Sequence, residues 1–246
     1  MSYTSEHVIA FCEQNDIACT EETAEKFDSL FQMLSDFNAH TNVTALKTES
    51  DICSRHFLDS LYPLKYALLP QNATVIDIGC GAGFPGLPLK LLRSDIDISF
   101  VDSTEKKLRF TSSVSDRFSL DAHVFSARAE ELVAKGHREK YDIVVSRAVA
   151  SLPVLCELCL PFVKVGGAFI AYKSLKESDT SNPESELSLA AKAIPALSGK
   201  VEKIYPAPLS EADGTVSEHA LLLIRKIKPT NPIYPRRYAA IVKKPL

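Results

Sequence analysis

No uninterrupted apolar run in this 246-residue chain reaches the roughly 20 residues that a membrane-spanning helix needs. The opening residues, Met1-Ser2-Tyr3-Thr4-Ser5-Glu6, lack the basic start and apolar core of a secretory signal. The chain therefore reads as cytoplasmic, with no membrane association. A basic excess is missing too, since the formal net charge is −3. That excludes a surface coated in cations but leaves room for a local basic face. The six histidines are scattered without ligand spacing, so no metal site is expected. Cysteine is sparse, at Cys12, Cys19, Cys53, Cys80, Cys156 and Cys159, and a cytosolic chain keeps such thiols reduced. Only Cys156 and Cys159 lie close, inside an apolar helical run, and no second pair completes a zinc site. They read as two small buried hydrophobes. The remaining composition is ordinary for one compact domain with an appendage.

What the chain does have is a glycine-dense turn, Val75-Ile76-Asp77-Ile78-Gly79-Cys80-Gly81-Ala82-Gly83-Phe84-Pro85-Gly86. A β-branched run ends in an acid, the turn follows, and a helical pattern begins. Glycine lets the backbone take positive φ and come close to a ligand. Read from Gly81, the turn satisfies the dinucleotide fingerprint G-x-G-x-x-G. Read from Asp77, it is D-x-G-x-G-x-G, the shape of an S-adenosylmethionine cradle. A pyrophosphate needs free N–H groups at the helix start, and Pro85 and Pro88 each remove one. Asp77 adds negative charge where a phosphate would lie, whereas a cationic sulfonium suits it. The next strand ends in Asp102, an acceptor for ribose hydroxyls under either reading. The S-adenosylmethionine reading is preferred, with a nicotinamide-dependent oxidoreductase as the competitor.

Residues 1–70 read as helices: one capped by Ser5, one opened by Thr20, and a third opened by the capping-box-like Thr48-Glu49-Ser50-Asp51. The third carries an apolar stripe of Ile52, Leu58, Leu61 and Leu64. Residues 71–246 alternate strand and helix. Strands are expected at 73–78, 98–102, 122–126, 141–146, 168–173, 201–205 and 220–225. A helix is expected from Pro183 to Leu197. The pattern implies a mostly parallel seven-stranded α/β sheet, with ligands at the carboxyl ends of the strands. There, Glu130 and a nearby backbone N–H could read adenine, and Arg147 points into the crevice. Arg147 is expected to matter to turnover more than to folding.

The segment Arg225–Leu246 holds seven basic residues and no acid, with Tyr234 and Tyr238 interleaved. Cations with aromatics suit phosphate contact and base stacking, and four prolines keep the tail extended. The alternative is a tail packed against the sheet, its arginines paired to acids.

With these residues in hand, the chain resembles the RsmG (GidB) family of guanine-N7 methyltransferases acting on 16S ribosomal RNA. The resemblance rests on Asn42-Val43-Thr44-Ala45, Arg55-His56-Phe57-Leu58-Asp59-Ser60, Asp77 to Leu89, Asp102-Ser103, Arg128-Ala129-Glu130-Glu131, Ser146-Arg147-Ala148 and Tyr234-Pro235-Arg236-Arg237 with Lys244-Pro245-Leu246. Cys80 and Tyr238-Ala239-Ala240 depart from it. It implies a Rossmann-like S-adenosylmethionine-dependent methyltransferase domain, 71–246, behind an N-terminal helical region, 1–70. The cofactor contacts it implies fall on Gly79, Phe84, Ala129, Glu130 and Arg147, and Gly81, Asp102 and Ser103 join them. RNA contact is expected at Asn42, Arg236, Arg237, Lys243 and Lys244. Guanine N7 has a free lone pair, so no general base is expected. The target should be an unpaired base, presented by 16S ribosomal RNA or a small-subunit particle to a monomeric enzyme. A non-catalytic RNA-binding protein is the remaining alternative.

Overall fold

The computed structural model describes residues 2–210 and 215–246; Met1, which opens the signal-peptide reading, lies outside them. Helices α1 (Tyr3–Gln14), α2 (Glu21–Thr41), α3 (Glu49–Ile52) and α4 (Asp59–Lys65) come first. Strands and helices then alternate: β1 (Thr74–Ile78), α5 (Gly86–Leu92), β2 (Asp97–Asp102), α6 (Glu105–Arg117), β3 (Ala122–Ser126), α7 (Ala129–Leu132), β4 (Tyr141–Arg147), α8 (Leu152–Cys159) and β5 (Val163–Ser174). The short turns α9 (Glu186–Leu189) and α10 (Ala193–Ala196) precede β6 (Gly199–Ser210), β7 (Val216–Lys226) and α11 (Tyr238–Lys243). No helix among the described residues is long and apolar enough to cross a membrane.

The seven strands form one sheet in the order β3-β2-β1-β4-β5-β7-β6. All pairings are parallel except those of β7 with β5 and β6. The order reverses between β1 and β4, so a crevice opens there at the carboxyl ends. Strand alternation decides what reaches it. In β1, Ile76 and Ile78 face the core beneath α8, while Val75 faces the core shared with α1, α2, α4, α5 and α6. Asp77 lies on the same side as Val75. By the same alternation, Arg147 on β4, Tyr172 on β5 and His219 on β7 all look toward the N-terminal helices.

Local chemistry fixes the helix ends. Thr20 caps α2 by accepting the Thr23 N–H at 3.2 Å, and Thr48 caps α3 by accepting that of Asp51 at 3.1 Å. The first helix begins earlier than expected. Ser2 is its cap, and Ser5 sits inside the first turn, accepting the Ser2 N–H at 2.9 Å. Between α3 and α4 the chain widens into a π-turn, Cys53–Leu58. The extra residue rotates the apolar stripe, so Phe57 is buried where the helical spacing points to Leu58.

Two further expectations are corrected. The helix expected from Pro183 to Leu197 is broken into α9 and α10, because Pro195 has no N–H to give the Ala191 carbonyl. The tail is not extended throughout. It ends in α11, which packs on α8 and whose Ile241 is fully buried in the core on that side. Cys156 and Cys159 are fully buried free thiols, and burial raises both pKa values.

Candidate active site

Two adjoining crevices open at the switch point, with Ala148 lining one and Val149 the other. The first is lined by Gly79 after β1, Asp102 and Ser103 after β2, and Ala127 to Glu130 after β3. Gly79, Gly81 and Gly83 hold φ of +70°, +57° and +85°. These values favour glycine. A Cβ on Gly79 would lie 2.3 Å from Val149 Cγ2, whereas one on Gly81 would meet only Lys107 Cδ at 3.9 Å. The loop is tied down from β2. The Gly79 and Cys80 N–H groups donate to the Val101 carbonyl at 2.7 and 3.1 Å. Asp102 accepts the Gly81 N–H at 3.0 Å and the Thr104 N–H at 2.7 Å. Asp102 therefore stiffens the cradle with both oxygens, and only its remaining lone pairs serve ligand hydroxyls.

Asp77 differs from its expected role. Its carboxyl is fully buried beneath the loop rather than on the crevice wall. One oxygen accepts the Gly86 N–H at 2.9 Å, the other has no partner, and burial pushes the pKa up to about 7. It clamps β1 to the start of α5.

That clamp decides what the cradle can hold. At the start of α5, the Gly86 N–H is spent on Asp77, and the Leu87 N–H is spent on the Gly83 carbonyl at 2.7 Å. Pro85 and Pro88 have none. The first turn thus offers no free donor to a pyrophosphate. The crevice instead presents the carboxylates of Asp102 and Glu130. They suit a ligand bearing hydroxyls, an amino group and positive charge.

Phe84 and Arg147 do not line this crevice. Arg147 lines the second one, and its guanidinium lies 6.0 Å from the ring centre of Phe84, which lines neither. Arg147 donates to Asp59 Oδ2 at 2.6 Å and to the Arg55 carbonyl at 3.0 Å. The side chains are 12% and 3% exposed, so the pair is nearly dry. His219 adds a contact to Asp59 Oδ1 at 3.1 Å. Burial pushes the Asp59 pKa up, but the His219 hydrogen bond and the Arg147 charge outweigh it and leave the carboxyl below its usual range. His56 stacks on Phe84, with centroids 4.6 Å apart and planes 6° apart, and contacts Thr44 Oγ1 at 2.8 Å. Burial, with Arg147 nearby, lowers its pKa to about 3, so the ring is neutral near pH 7.

Sequence reasoning missed Thr44, His56, Asp59 and His219 as site residues. The signal for Asp59 was an acid inside an apolar helical stripe. His219 carried no local signal. The turn between the crevices is held by Lys173, which donates to the Ala150 carbonyl at 3.0 Å and pairs with Glu186 at 2.5 Å. Among the described residues, no His/Cys/Asp/Glu group could hold a metal ion.

The expected RNA contacts divide. Asn42 closes α2 in the left-handed conformation, φ +49°. Arg236 is locked to the buried Glu157. Its Nε and Nη2 donate to the two carboxylate oxygens at 2.8 and 2.6 Å. Arg225 is paired with Glu202, and Lys226 with Glu139. Arg237, Lys243 and Lys244 are exposed.

The GidB family, rRNA small subunit methyltransferase G, matches residues 23–205. A ribosomal RNA small subunit methyltransferase G of Clostridium botulinum (strain Loch Maree / Type A3) is 38% identical over 96% of this chain and 95% of its own length. One from Acetivibrio thermocellus is 40% identical over 92% and 90%. Among solved structures, a SAM-dependent methyltransferase from Methanosarcina mazei superposes with a TM-score of 0.51 at 16% identity, over 68% of this chain and 98% of that one. That likeness concerns the fold.

Proposed function

The chain belongs to the GidB family of rRNA small subunit methyltransferases, and on that premise we propose that it methylates N7 of a guanine in 16S ribosomal RNA. The observation that carries this reading is the pair of crevices meeting at Ala148–Val149, one presenting the carboxylates of Asp102 and Glu130 beside a helix start with no free N–H, the other organised by the nearly dry Arg147–Asp59 pair. Asp102, Glu130, Gly79 and Gly81 would hold S-adenosylmethionine in the first. Bound there, the cofactor supplies an electrophilic methyl on a sulfonium. The protein's part is alignment. Guanine N7 carries an in-plane lone pair, so no side chain has to remove a proton first, and positioning carries the rate. Arg147, fixed by Asp59 and the Arg55 carbonyl, offers N–H donors of set direction to a base entering the second crevice. Neutral His56, stacked on Phe84, adds a flat wall without charge.

The helical region 1–70 therefore acts with the methyltransferase domain 71–246, because Thr44, His56 and Asp59 complete the second crevice. N7 is out of reach in the deep major groove of paired RNA, so the target is a splayed base. Lys228, Arg237, Lys243 and Lys244 are the exposed tail cations left for phosphate, with Asn42 at the rim of the loop that carries Thr44. We read the enzyme as a cytoplasmic monomer acting on 16S ribosomal RNA or a small-subunit particle. The test is transfer of labelled methyl to naked 16S RNA and to isolated small subunits, followed by mapping of the modified base. Label at one guanine N7 supports the reading. Label on an exocyclic amine, or none on either substrate, overturns it.

A further inference from the structure

We infer that the C-terminal tail is a wall of the cofactor crevice: Tyr238 closes its adenosine end, and the Arg236–Glu157 ion pair holds Tyr238 there. The tail is remote in sequence from every glycine-loop residue, yet Tyr238 lines the same crevice as Gly79, Asp102 and Glu130. Three contacts fix it. Its backbone N–H donates to Glu130 Oε1 at 3.3 Å. The Arg128 guanidinium sits 4.8 Å from its ring centre, and Arg128 lines the crevice as well. Two residues earlier, the Arg236 backbone N–H donates to Glu157 Oε1 at 2.8 Å, in addition to the two guanidinium bonds.

Glu157 is fully buried in α8. A buried carboxylate must find a partner, and Arg236 is that partner. The tail is thereby anchored immediately before Tyr238. Ile241, one helical turn on and fully buried, anchors it on the other side. A ring between two anchors, on the crevice that Glu130 and Asp102 also line, is built as a wall rather than as a free RNA-stacking group. Glu130 spends one carboxylate oxygen on the tail, so tail and ligand share that residue.

This inference rests on the first crevice being the S-adenosylmethionine site, and the experiment separates the two claims. Calorimetric titration of the full-length protein with S-adenosylhomocysteine gives the reference affinity. Tyr238→Ala should weaken it about tenfold or more, the scale of losing an aromatic surface against a base. Tyr238→Phe keeps the ring and should stay within about twofold of the reference. Arg236→Gln should weaken binding too. Its penalty should largely vanish in the Tyr238→Ala background, because the strap acts through the ring. Wild-type affinity in Tyr238→Ala overturns the wall, as does Tyr238→Phe binding as weakly as Tyr238→Ala. Additive penalties in the double variant overturn the strap. No binding by the wild-type protein overturns the cofactor site itself, and the wall with it.

Discussion

Replacing Arg147 with alanine strips a nearly dry carboxylate of its cation. Arg147 and Asp59 meet at 2.6 Å with side chains 12% and 3% exposed. Removing one partner of a buried ion pair leaves an uncompensated charge and costs about 3–5 kcal/mol. His219 remains on Asp59 at 3.1 Å, which puts the expected loss near the lower end, about 3 kcal/mol. The pH dependence has a definite sign. In the wild-type protein the Asp59 carboxyl lies below its usual range. Its contribution is therefore present above the unfolded value, about 3.9, and lost as pH falls through the folded one. Without Arg147, burial dominates and the carboxyl rises. The variant then loses stability as pH increases, so the gap between the two proteins is small near pH 4 and widens toward neutrality. Urea denaturation followed by circular dichroism from pH 4 to 8 reads this directly; the chain has no tryptophan to follow. Asp59→Asn added to Arg147→Ala should recover much of the loss. Methyl transfer should fall about tenfold or more, since a lost contact to a charged group is worth roughly 1.5–3 kcal/mol. A variant within about 0.5 kcal/mol of wild type at pH 7.5, the range of an ordinary surface change, would refute the buried-pair argument.

Gly86→Ala should cost about 1–3 kcal/mol of stability by overpacking, because its Cβ would lie 2.4 Å from Phe100 Cε1 and 3.0 Å from Asp77 Oδ2; an unchanged urea midpoint argues against the packing. Gly79→Asp should abolish cofactor binding in titration, since it loads a side chain and a charge onto a φ of +70° beside Val149. Asp77, with its pKa pushed up to about 7 by burial, costs stability as pH rises from the unfolded value, about 3.9, through the folded one, and no more above it; Asp77→Asn should therefore gain on wild type from about pH 4 to 7 and hold level beyond, and a difference that does not change over that window refutes the assignment. Changing Arg237, Lys243 and Lys244 together to alanine should flatten the salt dependence of RNA binding by about 0.7–0.9 logarithmic units per lost phosphate contact, while Arg236→Gln should instead lower the melting temperature.

The sheet was legible because each strand is an apolar run bounded by turn residues, and β3 falls on the expected 122–126. The glycine cradle was legible because glycine is the residue that positive φ demands. The helix start disfavours a phosphate more strongly than its prolines alone imply, since two prolines and two spent N–H groups empty the first turn of donors. What failed was charge counting. Arg225, Lys226 and Arg236 read as free cations because their acids, Glu202, Glu139 and Glu157, lie 23 to 87 positions away in sequence. Composition over a 22-residue window cannot see partners that the fold brings from elsewhere. The same blindness hid Tyr238, which stands far along the chain from the loop whose crevice it lines.

The second crevice carries the same lesson further. Arg147 stands at the end of β4, but the expectation that it matters to turnover more than to folding does not fit its nearly dry pair with Asp59, a partner that β4 alone does not show. Strand alternation turns Arg147 away from α8 and toward the N-terminal helices. There a π-turn presents the Arg55 carbonyl, and α4 begins with Asp59. The turn that rotates Phe57 into the core also sets His56 against Phe84 of the glycine loop. One backbone irregularity thus serves packing and site together. It joins the helical region to the glycine loop through a stacked ring and to β4 through a nearly dry ion pair. Disturbing that helix register should therefore move both crevices at once, whereas the tail acts on the first crevice alone, through Tyr238.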